Sequence, residues 1–436
     1  MAGGNNDPVR FGPEDLLAGI PAVDDLGGIS VSPDGSRVTF SLRLKRSSQV
    51  FVSEIDDFKP VALTHGPGSR THPRWSPEGG LIAFLGDTDG RERSNIFTVD
   101  PESGRIRQVT DFEGSYFRGF AWSPDGKRLA FSSDYDGPHS IYTIRSDGTG
   151  LKRLTEAAHL NILPVWSPDG SRLTYTAFPS GDAPCWIDII DTGGNQLFSL
   201  QDDFVGYVAM NWLPEGIFVK CAEHSNDEGS SFFGLVDPDS GALTSIDALE
   251  DEHTWKRRWA PDGESFVCSL GMGHSHVLHL CSGDGAMERV SPKDGIASHP
   301  TFTADGANLL FVHEGPQNPS DLWRYSLDDG ELHNLTHGLP DHVDPESLVV
   351  PEEIRYPSFD GMEIPAWLYR PQGVSAEGPP PAVIRVHGGP TYQSFNRWDP
   401  TIQTMVSHGC VVLAPNYRGS SGYGNDYMRL SRNDWG

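Results

Sequence analysis

Apolar and polar positions follow one grammar through most of this chain. A short strand ends in a large apolar residue and a four-residue polar turn follows. A second strand then shows apolar positions among polar ones, as in Lys127-Arg128-Leu129-Ala130-Phe131. A third strand looks like Asn95-Ile96-Phe97-Thr98-Val99 or Ile141-Tyr142-Thr143-Ile144. After a second polar turn, such as Ser146-Asp147-Gly148, a fourth strand ends in Leu63-Thr64, Val109-Thr110, Leu154-Thr155 or Leu335-Thr336. Runs this short, bounded by Gly, Pro and Asp, predict β-strands.

The first turn recurs seven times. Its copies are Ser32-Pro33-Asp34-Gly35, Ser76-Pro77-Glu78-Gly79, Ser123-Pro124-Asp125-Gly126, Ser167-Pro168-Asp169-Gly170, Leu213-Pro214-Glu215-Gly216, Ala260-Pro261-Asp262-Gly263 and Thr303-Ala304-Asp305-Gly306. Proline presets the backbone angle at the second position, and glycine takes positive φ at the end. The preceding anchors are Val31, Trp75, Trp122, Trp166, Trp212, Trp259 and Phe302, spaced 44, 47, 44, 46, 47 and 43 residues apart. A period of about 40–50 residues with four strands per unit is the signature of a propeller blade. The expected fold is therefore mainly β, a seven-bladed β-propeller over residues 28–340. The tryptophans, recurring at the blade period, are read as inter-blade packing. The first blade is expected near residues 28–64 and the last near 299–336. No strand is left over to complete a shared blade, so packing alone should close the ring. Residues 1–27 form an extension, with a short helix over 13–18.

The grammar changes after His337. Residues 341–352 read as a linker. Strands are expected at 353–357 and 363–369, joined by a turn at Asp360-Gly361, and a Gly/Pro loop at 373–381. The apolar strand 382–386 runs directly into His387-Gly388-Gly389-Pro390. A helix over 400–408 and an apolar strand at 411–415 follow. Strand, Gly-rich loop, helix and strand open an α/β domain with a parallel sheet. Residues 353–436 are accordingly expected to be the N-terminal part of an α/β-hydrolase domain.

Composition narrows the function. The formal net charge of −27 opposes nucleic-acid binding, which needs a basic stripe. Cys185, Cys221, Cys268, Cys281 and Cys410 are odd in number and form no C-x-x-C pair, so a reducing compartment is expected rather than a disulfide framework. No run reaches the ~18 apolar residues of a membrane span, and the first ten residues carry no apolar leader. A cytoplasmic location without membrane partners is the expectation. His274, His276 and His279 form an H-x-H-x-x-H cluster, but no Cys or carboxylate completes a zinc set, so no metal and no cofactor is expected. The acidic turn residues recur once per blade and are read as turn chemistry rather than calcium ligands.

The chemistry-bearing candidate is the His387-Gly388-Gly389-Pro390 loop. Two glycines directly after a sheet strand let backbone N–H groups approach a ligand closely. In α/β-hydrolases such a loop supplies one arm of an oxyanion hole. Three stretches in order carry a resemblance: residues 356–365 (Tyr-Pro-Ser-Phe-Asp-Gly-Met-Glu-Ile-Pro), His387-Gly388-Gly389-Pro390, and residues 415–424 (Pro-Asn-Tyr-Arg-Gly-Ser-Ser-Gly-Tyr-Gly). They resemble the opening of the catalytic domain in the prolyl oligopeptidase family of serine peptidases, most of all its acylaminoacyl-peptidase branch. That family also carries a propeller N-terminal to its hydrolase domain. The resemblance implies a serine peptidase acting on short peptides, acylaminoacyl-, dipeptidyl- or oligopeptidase-like, with the propeller gating access and oligomerisation possible. It assigns Gly388 and Gly389 to the oxyanion loop, and Asn416, Tyr417, Arg418 and Gly419 to a neighbouring structural motif. The family's nucleophile lies in G-x-S-x-G-G, and no G-x-S-x-G occurs in these 436 residues. No triad residue is assigned, and the chain alone is expected to be inactive. Two rivals remain: a non-catalytic propeller that binds peptides or proteins, and an esterase of the same hydrolase fold.

Overall fold

The computed structural model describes residues 20–24, 28–45, 47–87, 93–113, 117–156, 159–180, 183–223, 231–246, 254–271, 275–282, 286–372, 378–389 and 392–431. The expected helix over 13–18 lies outside them. The described chain divides into two compact units. One holds residues 29–41 and 47–252, and the other holds 1–28, 42–46 and 253–436.

The architecture is mainly β. Up to residue 334 the strands form antiparallel groups of four in chain order. One group, for example, runs Phe117–Trp122, Arg128–Ser133, Ser140–Arg145 and Lys152–Arg153. Seven such groups precede residue 340, and the last two share one sheet through a single parallel bridge, His276 to Ile296. The first group starts earlier than expected. Ala22–Val23 pairs with Arg43 and Leu42, while Ile29–Val31 pairs with Phe40 to Val38 on the same strand. Gly28, immediately before the second of these strands, has φ +65°.

The turn repeat forms as its sequence dictates. Glycine N–H donates to the carbonyl three residues back in six of the seven copies, from Gly35 to Ser32 at 2.9 Å through Gly306 to Thr303 at 3.0 Å. Those six glycines have φ between +65° and +78°. Where Ser or Thr leads an Asp, its hydroxyl donates to that carboxylate, as in Ser123 to Asp125 at 2.6 Å. Leu213-Pro214-Glu215-Gly216 departs. It lacks the hydroxyl, and Leu213 pairs with Gly216 across a two-residue hairpin loop.

The Leu-Thr ends fold as latches, not as strand. The fourth strands stop just before them, and Leu or Val N–H then bonds the third strand, as from Leu154 to Ile141 at 2.8 Å. The threonine hydroxyl accepts the N–H that would otherwise go unpaired: Val50 to Thr64, Ile96 to Thr110 and Ile141 to Thr155, each 2.9 Å, and Leu322 to Thr336, 3.0 Å. Tryptophan anchors reach the neighbouring group, with Trp122 Nε1 donating to Arg74 O and Trp166 Nε1 to Ala121 O. A β-bulge three residues before the anchor was not foreseen. His72 (φ +57°), Gly119 (+93°), Leu163 (+56°) and His299 (+54°) each interrupt the first strand of a group. Only two-residue periodicity is visible in sequence, and an extra residue of varying identity hides inside it.

The segment 341–352 is better packed than a linker. Asp344 caps a short 3₁₀ turn, Pro345–Ser347, and Val343 and Leu348 are buried against Trp398. Next comes a four-stranded sheet in the order Glu352–Pro357, Glu363–Tyr369, Val411–Pro415, Ala382–Ile384. It is mixed rather than parallel. The first two pairings are antiparallel, and the pairing of Ala382–Ile384 with Val411–Pro415 is parallel. Only that last pair is joined through a helix, and a tight turn at Asp360-Gly361 enforces the opposite sense. The helix Pro400–Ser407 is capped by Asp399, whose carboxylate accepts from Thr401 and Ile402 N–H. It buries Ile402 and Val406 against Trp367, Tyr369, Val412 and Ala414. Gln403 fastens this helix to the preceding chain. Its amide donates to Pro316 O and Val349 O and accepts from Val349 N–H, at 2.8–3.0 Å.

Candidate functional site

The His387 loop leaves the strand Ala382–Ile384 and bends at Gly389, where φ is +55°. Tyr392 N–H donates to Gly389 O at 2.5 Å and closes the bend. Pro390 lies outside the described residues. Gly388 and Gly389 are exposed, and no atom approaches within 4 Å of where a Gly388 side chain would begin. Their amides have no acceptor among the described residues. Two neighbouring exposed glycines thus follow directly on a sheet strand.

The neighbouring motif braces this loop. The rings of His387 and Tyr417 stack at 4.3 Å, and Tyr417 Oη donates to His387 O at 3.1 Å. Ser420 donates its hydroxyl to Tyr417 O at 2.6 Å. Its oxygen is therefore free to accept from His387 Nε2, 2.9 Å away. Burial pushes the His387 imidazole below its ordinary pKa, and the Gly388 carbonyl opposes this in part. Stacked on Tyr417 and held by Ser420 at Nε2 and by the Gly388 carbonyl at Nδ1, the ring is a wall of the site, not a base poised over it. Asn416 is fully buried. Its side chain accepts from Ser394 N–H at 2.6 Å and donates to Ser394 O and Tyr423 Oη. Arg418 turns outward, pairing with Asp360 and lying 4.9 Å over the Phe359 ring. Gly419, at φ +90°, is required sterically, because a side chain there would run into Ser431.

A cavity of about 170 Å³ opens beside the loop, lined in part by His387, Gly388, Tyr392, Phe395 and Arg397. The structure thus gathers His387, Gly388, Gly389, Asn416, Tyr417 and Gly419 around one loop, and places Arg418 at its rim. Tyr392, Ser394, Phe395 and Ser420 were not singled out by the sequence reading. Ser394 and Ser420 meet Asn416 and His387, 22 and 33 residues away, and no local pattern points to such pairs. Of the three clustered histidines, two are described. His274 lies outside the described residues. His276 meets the Phe395 ring edge-on at 5.4 Å, and His279 is three positions along the same strand with its pKa lowered by burial. Among the described residues no group of three or more His, Cys, Asp or Glu could hold a metal.

The chain was compared with known proteins. Residues 90–252 match the TolB beta propeller domain. The uncharacterized peptidase YuxL of Bacillus subtilis is 23% identical across 96% of this chain and 73% of its own length. Dipeptidyl aminopeptidase BIII of Pseudoxanthomonas mexicana is 24% identical across 97% of this chain and 63% of its own. A puromycin-hydrolyzing peptidase of Mycobacterium tuberculosis superposes with a TM-score of 0.79 at 17% identity, covering 98% of this chain and 70% of that one. The relatives and solved structures that it matches are members of the prolyl oligopeptidase family of peptidases, and the chain is similar to them.

The chain spans 63% of the length of the dipeptidyl aminopeptidase it matches. All five cysteines are free thiols. Among the described residues, no helix is long and apolar enough to cross a membrane.

Proposed function

We propose that this chain carries the propeller and the oxyanion loop of a serine-type peptidase acting on short peptides in the cytoplasm. In this reading the seven four-strand groups are the seven blades, residues 353–436 begin an α/β-hydrolase domain, and the propeller restricts which substrates enter. The observation that carries the reading is the pair of exposed, acceptor-free amides at Gly388 and Gly389, held by the His387–Tyr417–Ser420 brace. Backbone donors of this kind stabilise the oxyanion formed when a serine attacks a scissile carbonyl. Because they are fixed before the substrate arrives, little reorganisation is needed in the transition state. The proteins that this chain is similar to include a dipeptidyl aminopeptidase and a puromycin-hydrolyzing peptidase.

A fluorophosphonate probe tests the reading in two arms. The 436-residue chain has no G-x-S-x-G sequence and should not be labelled. A protein extended through the reading frame to include that motif should be labelled and should cleave a chromogenic dipeptide. In the extended protein Gly389→Ala should lower kcat about 10²-fold with KM little changed, since the φ of +55° disfavours any side chain and the donors would move. Labelling of a serine within residues 1–436, or an extended protein that binds peptides without cleaving them, would overturn it.

A further inference from the structure

The C-terminal sheet has two edge strands, and only one of them is blunted. Glu352–Pro357 carries Glu352, Glu353 and Arg355 and ends in Pro357. Charges and proline are the usual means of keeping a sheet edge from pairing. The other edge, Ala382–Ile384, is apolar throughout. Arg385 N–H donates to Leu413 O at 2.8 Å, and Val411 N–H donates to Pro381 O at 2.9 Å. Pro381, Val383 and Arg385 therefore turn their backbone groups inward, toward Val411–Pro415. By the alternation of the ladder, Ala382, Ile384 and Val386 turn theirs outward. Among the described residues those outward N–H and C=O groups have no partner.

The side chains alternate in the same way. Val383 packs against the cluster that holds Trp367, Ile402 and Val412, so Ala382, Ile384 and Val386 project from the opposite face. Ile384 is 65% exposed and Val386 54%. Apolar side chains beside unpaired backbone groups make a template for another strand. The residues of this edge say which strand fits. Antiparallel pairing with its own copy has one favourable register, with Ile384 on a twofold axis. Each Ile384 then exchanges both backbone bonds with the other, and Ala382 exchanges both with Val386. Arg385 falls opposite Val383, and its side chain lies 3.6 Å from Asp399. Moving the axis to Arg385 would set two guanidinium groups face to face, and like charges directly opposite are destabilising. Moving it to Val383 would set Val386 against Pro380, which has no N–H to give.

We infer that the edge from Ala382 to Val386 is a self-association surface, at which two copies of this chain pair antiparallel about Ile384 and join their sheets into one. Such an interface uses the same patch on both copies, so assembly stops at the dimer. Each copy carries a net charge of −27, which opposes association. So short an edge is also a small contact beside the ~1,200–2,000 Å² of stable interfaces. The dimer is therefore weak, with Kd on the order of 0.1 mM. The inference does not depend on the peptidase reading, because it needs no catalysis and is tested on the 436-residue chain itself.

Sedimentation velocity from about 10 µM to about 0.5 mM should show a reversible monomer–dimer equilibrium. Raising potassium chloride from about 0.05 M to about 0.3 M should tighten it, because salt screens the repulsion between two acidic copies. Ile384→Lys puts two charges on the axis and should weaken the dimer at least tenfold. Val350→Lys, at an apolar side chain 53% exposed and away from this edge, should leave it unchanged. If Ile384→Lys fails to fold, cross-linking keeps the inference testable. Residues facing each other in a hydrogen-bonded antiparallel pair have Cα atoms about 5.5 Å apart, within reach of a disulfide. With a small disulfide as oxidant, Ile384→Cys should therefore cross-link to its own copy above the background of the native thiols. Val386→Cys, which faces Ala382, should not. A chain that stays monomeric at about 0.5 mM would overturn the inference. So would growth past the dimer, a dimer weakened equally by Val350→Lys, or cross-linking at Val386→Cys as fast as at Ile384→Cys.

Discussion

The strand groups and the C-terminal sheet satisfy their buried polar groups in opposite ways. In the groups each solution is local and repeated. Thr110 serves Ile96, 14 residues away, and Thr155 serves Ile141 at the same separation. In the C-terminal sheet each solution is distant and used once. Gln403 reaches Pro316, 87 residues back, and Val349, 54 back, while Asn416 holds Ser394 across 22. Apolar burial divides similarly. The central strands of the groups bury Ile82, Leu129, Leu173 and Leu309 completely, whereas Ile384 and Val386 at the edge of the C-terminal sheet are 65% and 54% exposed. A group that loses its threonine latch leaves three more of the same kind in other groups, as at Thr64, Thr155 and Thr336 when Thr110 is changed. The C-terminal sheet has no second copy of anything.

Removing Gln403 breaks that asymmetry most sharply. Gln403→Leu preserves bulk but leaves Val349 N–H, Val349 O and Pro316 O unpaired at buried positions. At about 1–3 kcal/mol for each unsatisfied group, the loss should be ~3 kcal/mol or more. Hydrogen exchange should show the amides of Glu363–Tyr369 and Val411–Pro415 losing protection while those of Arg128–Ser133 keep theirs. Limited proteolysis of the variant should leave a resistant core ending near residues 337–352. Uniform loss of protection along the chain would mean that the sheet and the groups unfold as one, and the comparison would fail.

Thr110→Val is the corresponding test on the other side. The change is nearly isosteric. It strips the Ile96 N–H of its acceptor and the Asn95 side chain of a donor. The cost should be about 1–2 kcal/mol, read as a shift in urea midpoint. Deprotection should stay within Phe117–Trp122 and the strands Ile82–Asp87 and Ser94–Val99 around the latch. An effect as large as that of Gln403→Leu would show that the latches are not local devices.

The same division explains what could be read without coordinates. The turns and their glycine conformations are set by residues within a few positions of one another, and the tryptophan contacts recur at about one repeat length, so the repeat exposes both. The strand at 363–369 and the helix from Pro400 are legible for the same reason, through alternation and an Asp-Pro start. The bulges at His72, Gly119, Leu163 and His299 share a position but not a residue type, and so stay hidden. The Gln403 bonds, the Asn416–Ser394 clasp and the His387–Ser420 contact join residues with no sequence relation. The loop itself was visible as His387-Gly388-Gly389, while everything that fixes its shape came from packing. The sheet was expected to be parallel because strand, helix and strand dominate its sequence, but the hairpin at Asp360-Gly361 makes one pairing antiparallel and Glu363–Tyr369 also runs antiparallel to Val411–Pro415.

The smallest effect concerns how carboxylates are held. Asp34 and Asp169 are lowered to a pKa of about 2, first by the hydroxyls of Ser32 and Ser167 and then by the amides and hydroxyls of Ser36 and Ser171. Asp360, in the C-terminal hairpin, is lowered chiefly by its hydrogen bond from the Arg418 side chain, with the Arg418 charge also contributing. All three are depressed in the folded state, so their contribution to stability is present above the unfolded value of about 3.9 and disappears as pH falls through the folded value. For the two turn residues that window runs from about 4 down to about 2. The groups are solvent-exposed, so the stability change is slight and the carboxyl chemical shifts are the better readout. Salt separates the two mechanisms. Neutral hydroxyl and amide donors are little screened, while an exposed Arg–Asp pair is screened strongly at 1 M, where the Debye length is about 3 Å. A carbon-detected titration in 1 M sodium chloride should leave Asp34 and Asp169 near 2 and move Asp360 upward. Equal upward movement of all three would show that the repeat turns, like the hairpin, depend on nearby charge, with Arg37 and Arg172 as the sources.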